Sequence, residues 1–368
     1  MCDGAAGGQE IYPQGPGKHS WTPIVGFIMR AITYTHTGTP SVLQLVDREV
    51  GAPGPGEVRV RVVVSGVNPT DWKVRAGSAP GEALPFAEVV PNQDGAGVVD
   101  AIGEGVDSVT IGDRVWLLLA AHGRPTGTAQ EFTVVPADRV IPLPDDADFD
   151  LGASLGVPAI TAHRALTVSE DGPSRLHPGA LSGRTVLVAG GAGAVGHAAI
   201  QLARWAGATV ITTVSSDDKA ALATAAGAHH VVNYRTSDAA AAIRAIAPDG
   251  VHLIVEVSPT QNAELNAAVI ATRGSIAVYA NNGGDALTLD VRPLMVLNVR
   301  YQFVLLYLVG AAAIAAGVAD VTAAVTAGAL PVGADAGLPL HRFPLERAAE
   351  AHAAVEAGAI GKVLIDVG

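Results

Sequence analysis

The stretch Thr185-Val186-Leu187-Val188-Ala189-Gly190-Gly191-Ala192-Gly193-Ala194-Val195-Gly196 decides the fold. Thr185–Ala189 is a short aliphatic run of the kind that forms a buried strand, and Val195–Trp205 carries apolar residues at helical spacing. Between them lies G-x-G-x-x-G, which is weak alone but specific when it follows a strand and opens a helix. Gly191 is expected to permit the tight turn, Gly193 to let a pyrophosphate approach the backbone, and Gly196 to allow close helix–strand packing. The helix start at Ala194 and Val195 offers unpaired N–H groups and partial positive charge to phosphates.

Downstream, strands alternate with helices. Strands are expected at Thr209–Val214, His230–Asn233, Leu253–Val257 and Ser275–Ala280, and helices at Asp217–Ala226, Ala239–Ala247 and Asn262–Ala271. Such alternation predicts a parallel sheet covered on both faces. Upstream, strand signals dominate from Met29 to about Asp150: Val58–Val64, Gly95–Ile102, Asp113–Leu119 and Ala129–Val135 are short runs bounded by Gly, Pro or Asp. In Val58–Val64 the arginines Arg59 and Arg61 face one side and the valines the other. That pattern suits a small rolled β domain. The expected organisation is a flexible extension over 1–28, a β-rich domain over 29–150, a parallel-sheet domain over 151–330 and a return to the first domain over 331–368. The return holds a strand, a helix at Leu345–Glu356 and a closing strand at Lys362–Val367.

Composition sets outer bounds. The 368 residues are 49% hydrophobic and 16% charged, which excludes a disordered chain. Lys plus Arg number 23 against 35 Asp plus Glu, a net charge of −12 with no basic run, so nucleic acid is a poor partner. The single cysteine, Cys2, excludes a disulfide framework and any multi-cysteine zinc site. The N-terminal stretch lacks the basic start and apolar core of a signal peptide. No charge occurs between Arg300 and Asp320, but Gln302, Gly310 and Gly317 interrupt that stretch. A strand over Tyr301–Val309 followed by a buried helix over Ala311–Ala327 is expected there rather than a membrane span. The mean hydropathy of +0.34 then reflects a doubly covered sheet. These features together predict a cytoplasmic α/β protein.

The second strand of the parallel sheet ends in Ser215 and Ser216, with Lys219 four residues after Ser215. An acidic residue at this tip would bind ribose hydroxyls. Hydroxyls and an ammonium suit a 2′-phosphate instead, which favours NADPH. Asp217 and Asp218 would oppose a phosphate if they pointed inward, or complement the helix dipole if they did not.

The motifs Ser65-Gly66-Val67-Asn68-Pro69-Thr70-Asp71, Asn92-Gln93-Asp94-Gly95-Ala96-Gly97-Val98-Val99, Gly112-Asp113-Arg114-Val115, Gly127-Thr128-Ala129-Gln130-Glu131-Phe132, Ile160-Thr161-Ala162 and Gly361-Lys362-Val363 join the glycine loop in one pattern. From Met29 onward the chain resembles the zinc-free quinone oxidoreductase (ζ-crystallin-like) branch of the medium-chain dehydrogenase/reductase superfamily. The resemblance implies a GroES-like β domain, a Rossmann domain and a cofactor cleft between them. Zinc-dependent relatives place Cys near Val67-Asn68 and Gly-His-Glu at Asn92-Gln93-Asp94, so the resemblance implies no metal here. Reduction of a quinone or a conjugated enone needs no Lewis acid as strong as zinc, because the π system spreads the incoming charge.

The resemblance further implies that Asn68 lies near nicotinamide and substrate, where its amide would donate to an oxyanion; a turn asparagine before Pro69 is the alternative. Several relatives carry Tyr where this chain has Lys73, which either stabilises an enolate, binds phosphate or is solvated beside Trp72. Thr161 and Val304, the latter within Phe303–Leu305, are implied beside the nicotinamide, Tyr234 beside the adenosine phosphate, and Lys362 against the cofactor. Ser258, Tyr279 and Ala280 sit just past strand ends, where ligands of such sheets bind. The apolar run Val299–Val309 lies where relatives extend the Rossmann sheet across a two-fold axis, so the resemblance implies a homodimer. Three functions are compatible with these residues: an NADPH-dependent quinone reductase, a reductase of α,β-unsaturated ketones, aldehydes or thioesters, and a non-catalytic NADPH-binding protein.

Overall fold

A computed structural model describes residues 28–368. The extension expected over 1–28 therefore lies, apart from Ile28, outside the described residues. The chain opens with the antiparallel hairpin β1 (Ile28–Thr33) and β2 (Gln44–Glu49). It continues through β3 (Glu57–Val67), α1 (Pro69–Ala76), β4 (Asp94–Ile102), β5 (Arg114–Leu117), β6 (Phe132–Pro136), β7 (Val140–Pro142) and α2 (Phe149–Leu166). The parallel-sheet region follows as β8 (Thr185–Ala189), α3 (Ala194–Trp205), β9 (Thr209–Val214), α4 (Asp217–Ala225), β10 (His230–Asn233), α5 (Ala239–Ile246), β11 (Val251–Glu256), α6 (Pro259–Val269), β12 (Ile270–Val278), α7 (Val291–Val296), β13 (Arg300–Phe303) and α8 (Ala311–Thr326). Last come β14 (Leu340–Pro344), α9 (Ala348–Glu356) and β15 (Lys362–Asp366).

The fold is mixed α/β. Six strands form a parallel sheet in the order β10-β9-β8-β11-β12-β13. The order reverses between β8 and β11, and that switch point opens the crevice where such sheets bind ligands. The aliphatic runs of β8, β9 and β11 are almost fully buried, as a sheet covered on both faces requires. The other large sheet runs β14-β15-β3-β4-β5-β7, with β6 also paired to β3. The C-terminal β15 lies antiparallel to β3, with Leu364 opposite Gly66.

Helix α2 joins the two sheets. It packs against β3, β4 and β5 on one side and α3 and α8 on the other. Close approach is built into the sequence: a Cβ on Gly66 would sit 2.2 Å from the Ala153 carbonyl oxygen. Pro158 lies inside α2, where it removes one N–H and disturbs the preceding turn. Asp94 Oδ1 meets this turn by accepting the Val157 N–H at 2.8 Å. On the arginine side of β3, Arg59 is sealed in an ion pair with Asp100, Nε to Oδ2 2.5 Å, while Arg61 is half-buried. Among the described residues no helix is long and apolar enough to cross a membrane. The uncharged stretch after Arg300 divides into β13, a single 3-10 turn at Leu306–Leu308 and α8.

Candidate functional site

Three cavities follow one another along the cleft. The first, about 290 Å³, lies over the glycine loop and is bounded by Gly190, Gly193, Ser215, Lys219, Tyr234 and Tyr279 among others. The second, about 350 Å³, shares Tyr279 with it and adds Ala280, Phe303 and Val304. The third, about 480 Å³, shares Leu305 with the second and runs into the β-rich side past Val74, Phe86, Asp71, Gln93 and Tyr307.

The glycine loop shows why each residue is small. Gly190 holds the positive φ of 70° that the turn needs, so the turn residue is Gly190 and not Gly191. Gly191 is required by packing, since its Cβ would lie 2.2 Å from Thr212 Oγ1. A Cβ on Gly196 would meet the Gly190 carbonyl oxygen at 2.5 Å. Gly193 differs: its nearest neighbour would be the Gly190 oxygen at 3.6 Å. Nothing within the protein demands glycine there, and the open space is the approach a pyrophosphate would use. Gly193 is also the N-cap of α3, with no side chain to satisfy the helix start. His197 N donates to Gly193 O at 2.8 Å, so the N–H groups of Ala194, Val195 and Gly196 precede the first helical bond and point to the loop mouth.

At the tip of β9, Lys219 Nζ donates to Ser215 Oγ at 3.0 Å, and Ser216 Oγ caps α4 by accepting from Lys219 N at 3.3 Å. Asp217 is turned aside, accepting from Asn233 Nδ2 at 3.2 Å. The tip thus presents the Ser215 hydroxyl and the Lys219 ammonium to the first cavity's rim, whereas Ser216, expected beside them, does not line it and spends its hydroxyl on the cap. Tyr234 stands half exposed beside them.

Several expected site residues lie elsewhere. Ser258 is buried and spends its hydroxyl on Asn282 O at 2.6 Å and Gln261 Oε1 at 2.9 Å; Val257 and Asn282 line the cavity in its place. Thr161 is 6% exposed on α2 and lines none of the three cavities. Lys362, expected against the cofactor, is sealed behind the wall of the cleft. Its ammonium donates to Asn68 Oδ1 at 2.8 Å and faces Asp94 Oδ2 at 3.4 Å. Asn68 Nδ2 donates to the same Asp94 oxygen at 2.7 Å. Both ends of the Asn68 amide are therefore engaged, and this residue braces the site instead of opening toward a substrate oxyanion. Lys73 reaches across the cleft, Nζ to Asn281 Oδ1 3.4 Å, and lies over the Trp72 ring.

The polar cluster beneath the third cavity is strongly perturbed. Burial pushes the Lys362 ammonium down from its usual range, and Asp94 opposes that shift. Burial raises Asp94, while Lys362 and Asn68 pull it back. Asp71 is raised to about 7 by burial first and the Asp94 charge second. Zinc does not fit this cluster. An ammonium, one carboxamide and a backbone N–H surround the Asp94 carboxylate, and among the described residues no three His, Cys, Asp or Glu side chains converge.

Three residues important to this geometry were not singled out from the sequence. Gly190 had a signal, the Gly-Gly doublet at the strand end. Asp71 and Gln93 sat inside quoted motifs, but nothing in their spacing reveals that both border a cavity.

Comparison with known proteins agrees with this geometry. The family described as alcohol dehydrogenase GroES-like domain matches residues 54–145, and the family described as zinc-binding dehydrogenase matches residues 194–327. The chain belongs to the zinc-free quinone oxidoreductase branch of the medium-chain dehydrogenase/reductase superfamily and is an oxidoreductase. Quinone oxidoreductase of Rattus norvegicus is 35% identical over 259 residues, 70% of this chain and 74% of the relative. A 2-haloacrylate reductase from a Burkholderia species is 32% identical over 262 residues, 70% of this chain and 75% of that protein. A mycobacterial protein solved in complex with NADPH superposes with a TM-score of 0.75 at 30% identity, covering 92% of this chain and 99% of its own.

Proposed function

We propose that the chain is an NADPH-dependent reductase that transfers hydride to a quinone without zinc. One observation carries this reading: the phosphate-suited loop, the Ser215–Lys219 tip and a large, mostly apolar cavity lie along one cleft whose cavities share Tyr279 and then Leu305. The backbone at Gly193–Gly196 would hold the pyrophosphate, and Ser215 and Lys219 the 2′-phosphate. Tyr279, Ala280 and Val304 would border the nicotinamide. When bound, NADPH supplies the hydride. The chain's own residues orient the substrate, exclude water and manage the proton.

The relatives that support the reading include quinone oxidoreductases and a mycobacterial structure complexed with NADPH. NADPH oxidation with a panel of quinones tests it: turnover with at least one is expected, and none with any overturns it. The relative named 2-haloacrylate reductase favours a second reading, reduction of a C=C bond conjugated to a carbonyl.

A homodimer formed through β13 fits the same reading. β13 ends the parallel sheet, and Phe303, Leu305 and Leu308 beside it are 62%, 56% and 77% exposed. An uncovered apolar edge of this kind invites pairing. Light scattering is expected to give a dimer; a clean monomer would refute it. A reductase drawing on NADPH belongs in the cytoplasm, which accords with a chain containing one cysteine.

A further inference from the structure

Gln93 and Asp71 both border the third cavity. Gln93 is 8% exposed and borders the cavity. Its Oε1 is buried with no hydrogen-bond partner, and its Nε2 has none among the described residues. Exchanging the two amide positions leaves the same deficit. The sealed Oε1 could be satisfied only by a donor; the group left to the cavity is Nε2, a donor with no acceptor among the described residues, which suits an acceptor from outside the protein. Asp71 borders the same cavity, with Oδ2 accepting the Asn68 N–H at 2.7 Å. Most of the remaining lining is apolar, including Leu84, Phe86, Val89 and Leu308, while Asn92, His122 and Arg124 also border it.

We propose that Gln93 and Asp71 form a carbonyl-binding pole: the Gln93 carboxamide donates to the substrate's carbonyl oxygen, and the Asp71 carboxyl delivers the proton that oxygen needs. The inference rests on the reductase reading above and names the substrate class more closely: an apolar molecule whose conjugated carbonyl ends in this pole. Hydride arrival gives the substrate two electrons and leaves it as an oxyanion, a hydroquinone monoanion or an enolate. The Asp71 O–H bond breaks, an O–H bond forms on the product, and water reprotonates the carboxylate before the next turnover.

The surroundings keep Asp71 available as an acid. Burial and Asp94 on β4 raise its pKa to about 7. The N–H groups of Asn68 and Gln93 and the ammonium of Lys362 on β15 act in the opposite sense. Tyr34 beyond β1 and Tyr307 beyond β13 face it as phenols whose own pKa values are raised, so both stay neutral. Arg75 on α1 lies one turn along from Asp71 and pairs with Glu356 on α9. His122 stacks obliquely on Tyr307 and is held neutral by burial and Arg139.

The test compares wild type with Gln93→Met and Asp71→Asn, using NADPH and 1,4-naphthoquinone. Gln93→Met should lower kcat/KM about 10–100-fold and leave NADPH affinity, read by equilibrium titration, unchanged. Wild-type kcat/KM should fall as pH rises through about 7, and Asp71→Asn should be slow and lack that limb. Unchanged kcat/KM in Gln93→Met, or the same limb in Asp71→Asn, would overturn the proposal. Equilibrium binding of 1,4-naphthoquinone to the three proteins keeps the pole testable without turnover. If wild type oxidises no NADPH, the reductase reading fails, while weaker naphthoquinone binding by Gln93→Met would still support the pole and equal binding would overturn it.

Discussion

The ammonium of Lys362 and the amide oxygen of Asn68 stand 2.8 Å apart, and both side chains are buried. Asp94 closes the triangle, accepting from Asn68 at 2.7 Å and facing Lys362 at 3.4 Å. One cation therefore neutralises a carboxylate that also holds the Pro158 turn of α2 through Val157 N. The cluster ties β3, β4, β15 and α2 together directly beneath the cleft.

Removing the cation should be costly. Lys362→Met leaves Asp94 buried and unpaired, which typically destabilises by about 3–5 kcal/mol. Urea unfolding should show this loss, and adding Asp94→Asn should recover part of it.

The two loop glycines should separate stability from binding. Gly191→Ala puts a Cβ 2.2 Å from Thr212 Oγ1, so its melting temperature should drop. Gly193→Ala meets only an oxygen at 3.6 Å and should melt like wild type. It should nevertheless bind NADPH about tenfold or more weakly, since the new methyl fills the phosphate approach. Thermal scans with calorimetric titrations of both variants check the pair.

Cofactor choice should reside in the β9 tip. Lys219→Ala removes the ammonium beside Ser215. NADPH affinity should fall about tenfold, as loss of a charge-assisted phosphate contact predicts, with NADH affinity unchanged. Fluorescence titration with each dinucleotide, repeated at higher salt, tests the claim; equal losses for both would contradict it.

Stability should depend on pH through Asp71. Its folded pKa, about 7, lies above the ordinary value of 3.8. The folded protein thus holds this proton more tightly than the unfolded chain. The stability it contributes is complete below pH about 4 and is lost as pH rises through about 7. Asp71→Asn lacks this dependence. Relative to wild type it should gain about 4 kcal/mol between those pH values, measured by urea unfolding at each; a pH-independent difference would contradict the assignment.

Much of the parallel sheet was legible because its physics is local. Thr185–Ala189 and Thr209–Val214 form strands with the expected bounds, since strands buried on both faces read as unbroken β-favouring runs, and His230–Asn233 also keeps its expected bounds at the partly exposed sheet edge. The strand expected over Tyr301–Val309 ends at Phe303. Val304 N makes one more sheet bond, to Val278 O at 2.7 Å, and the chain then turns so that Tyr307 Oη can donate to Thr70 Oγ1 at 2.9 Å. No local pattern encodes that tie across the cleft.

Helix α1 escaped sequence reading for a related reason. Its buried residues are Asp71 and Arg75, so its polarity runs opposite to an ordinary amphipathic helix. The glycine loop was legible as a motif, but assigning the turn required φ at Gly190. Asn68, Ser258 and Lys362 were expected to face ligands and instead hydrogen-bond within the protein. Sequence spacing brought them to the cleft without showing which way each side chain turns.

Hydride transfer from NADPH to a quinone is tested most directly with NADPH deuterated at the transferable position and 1,4-naphthoquinone as acceptor. The account predicts one equivalent of NADP⁺ per hydroquinone formed, with the deuterium lost to water through an exchangeable O–H and a slower rate than with unlabelled cofactor. Absence of NADPH oxidation with this and related quinones, or turnover only with conjugated enones that retain deuterium on the β-carbon, would contradict it.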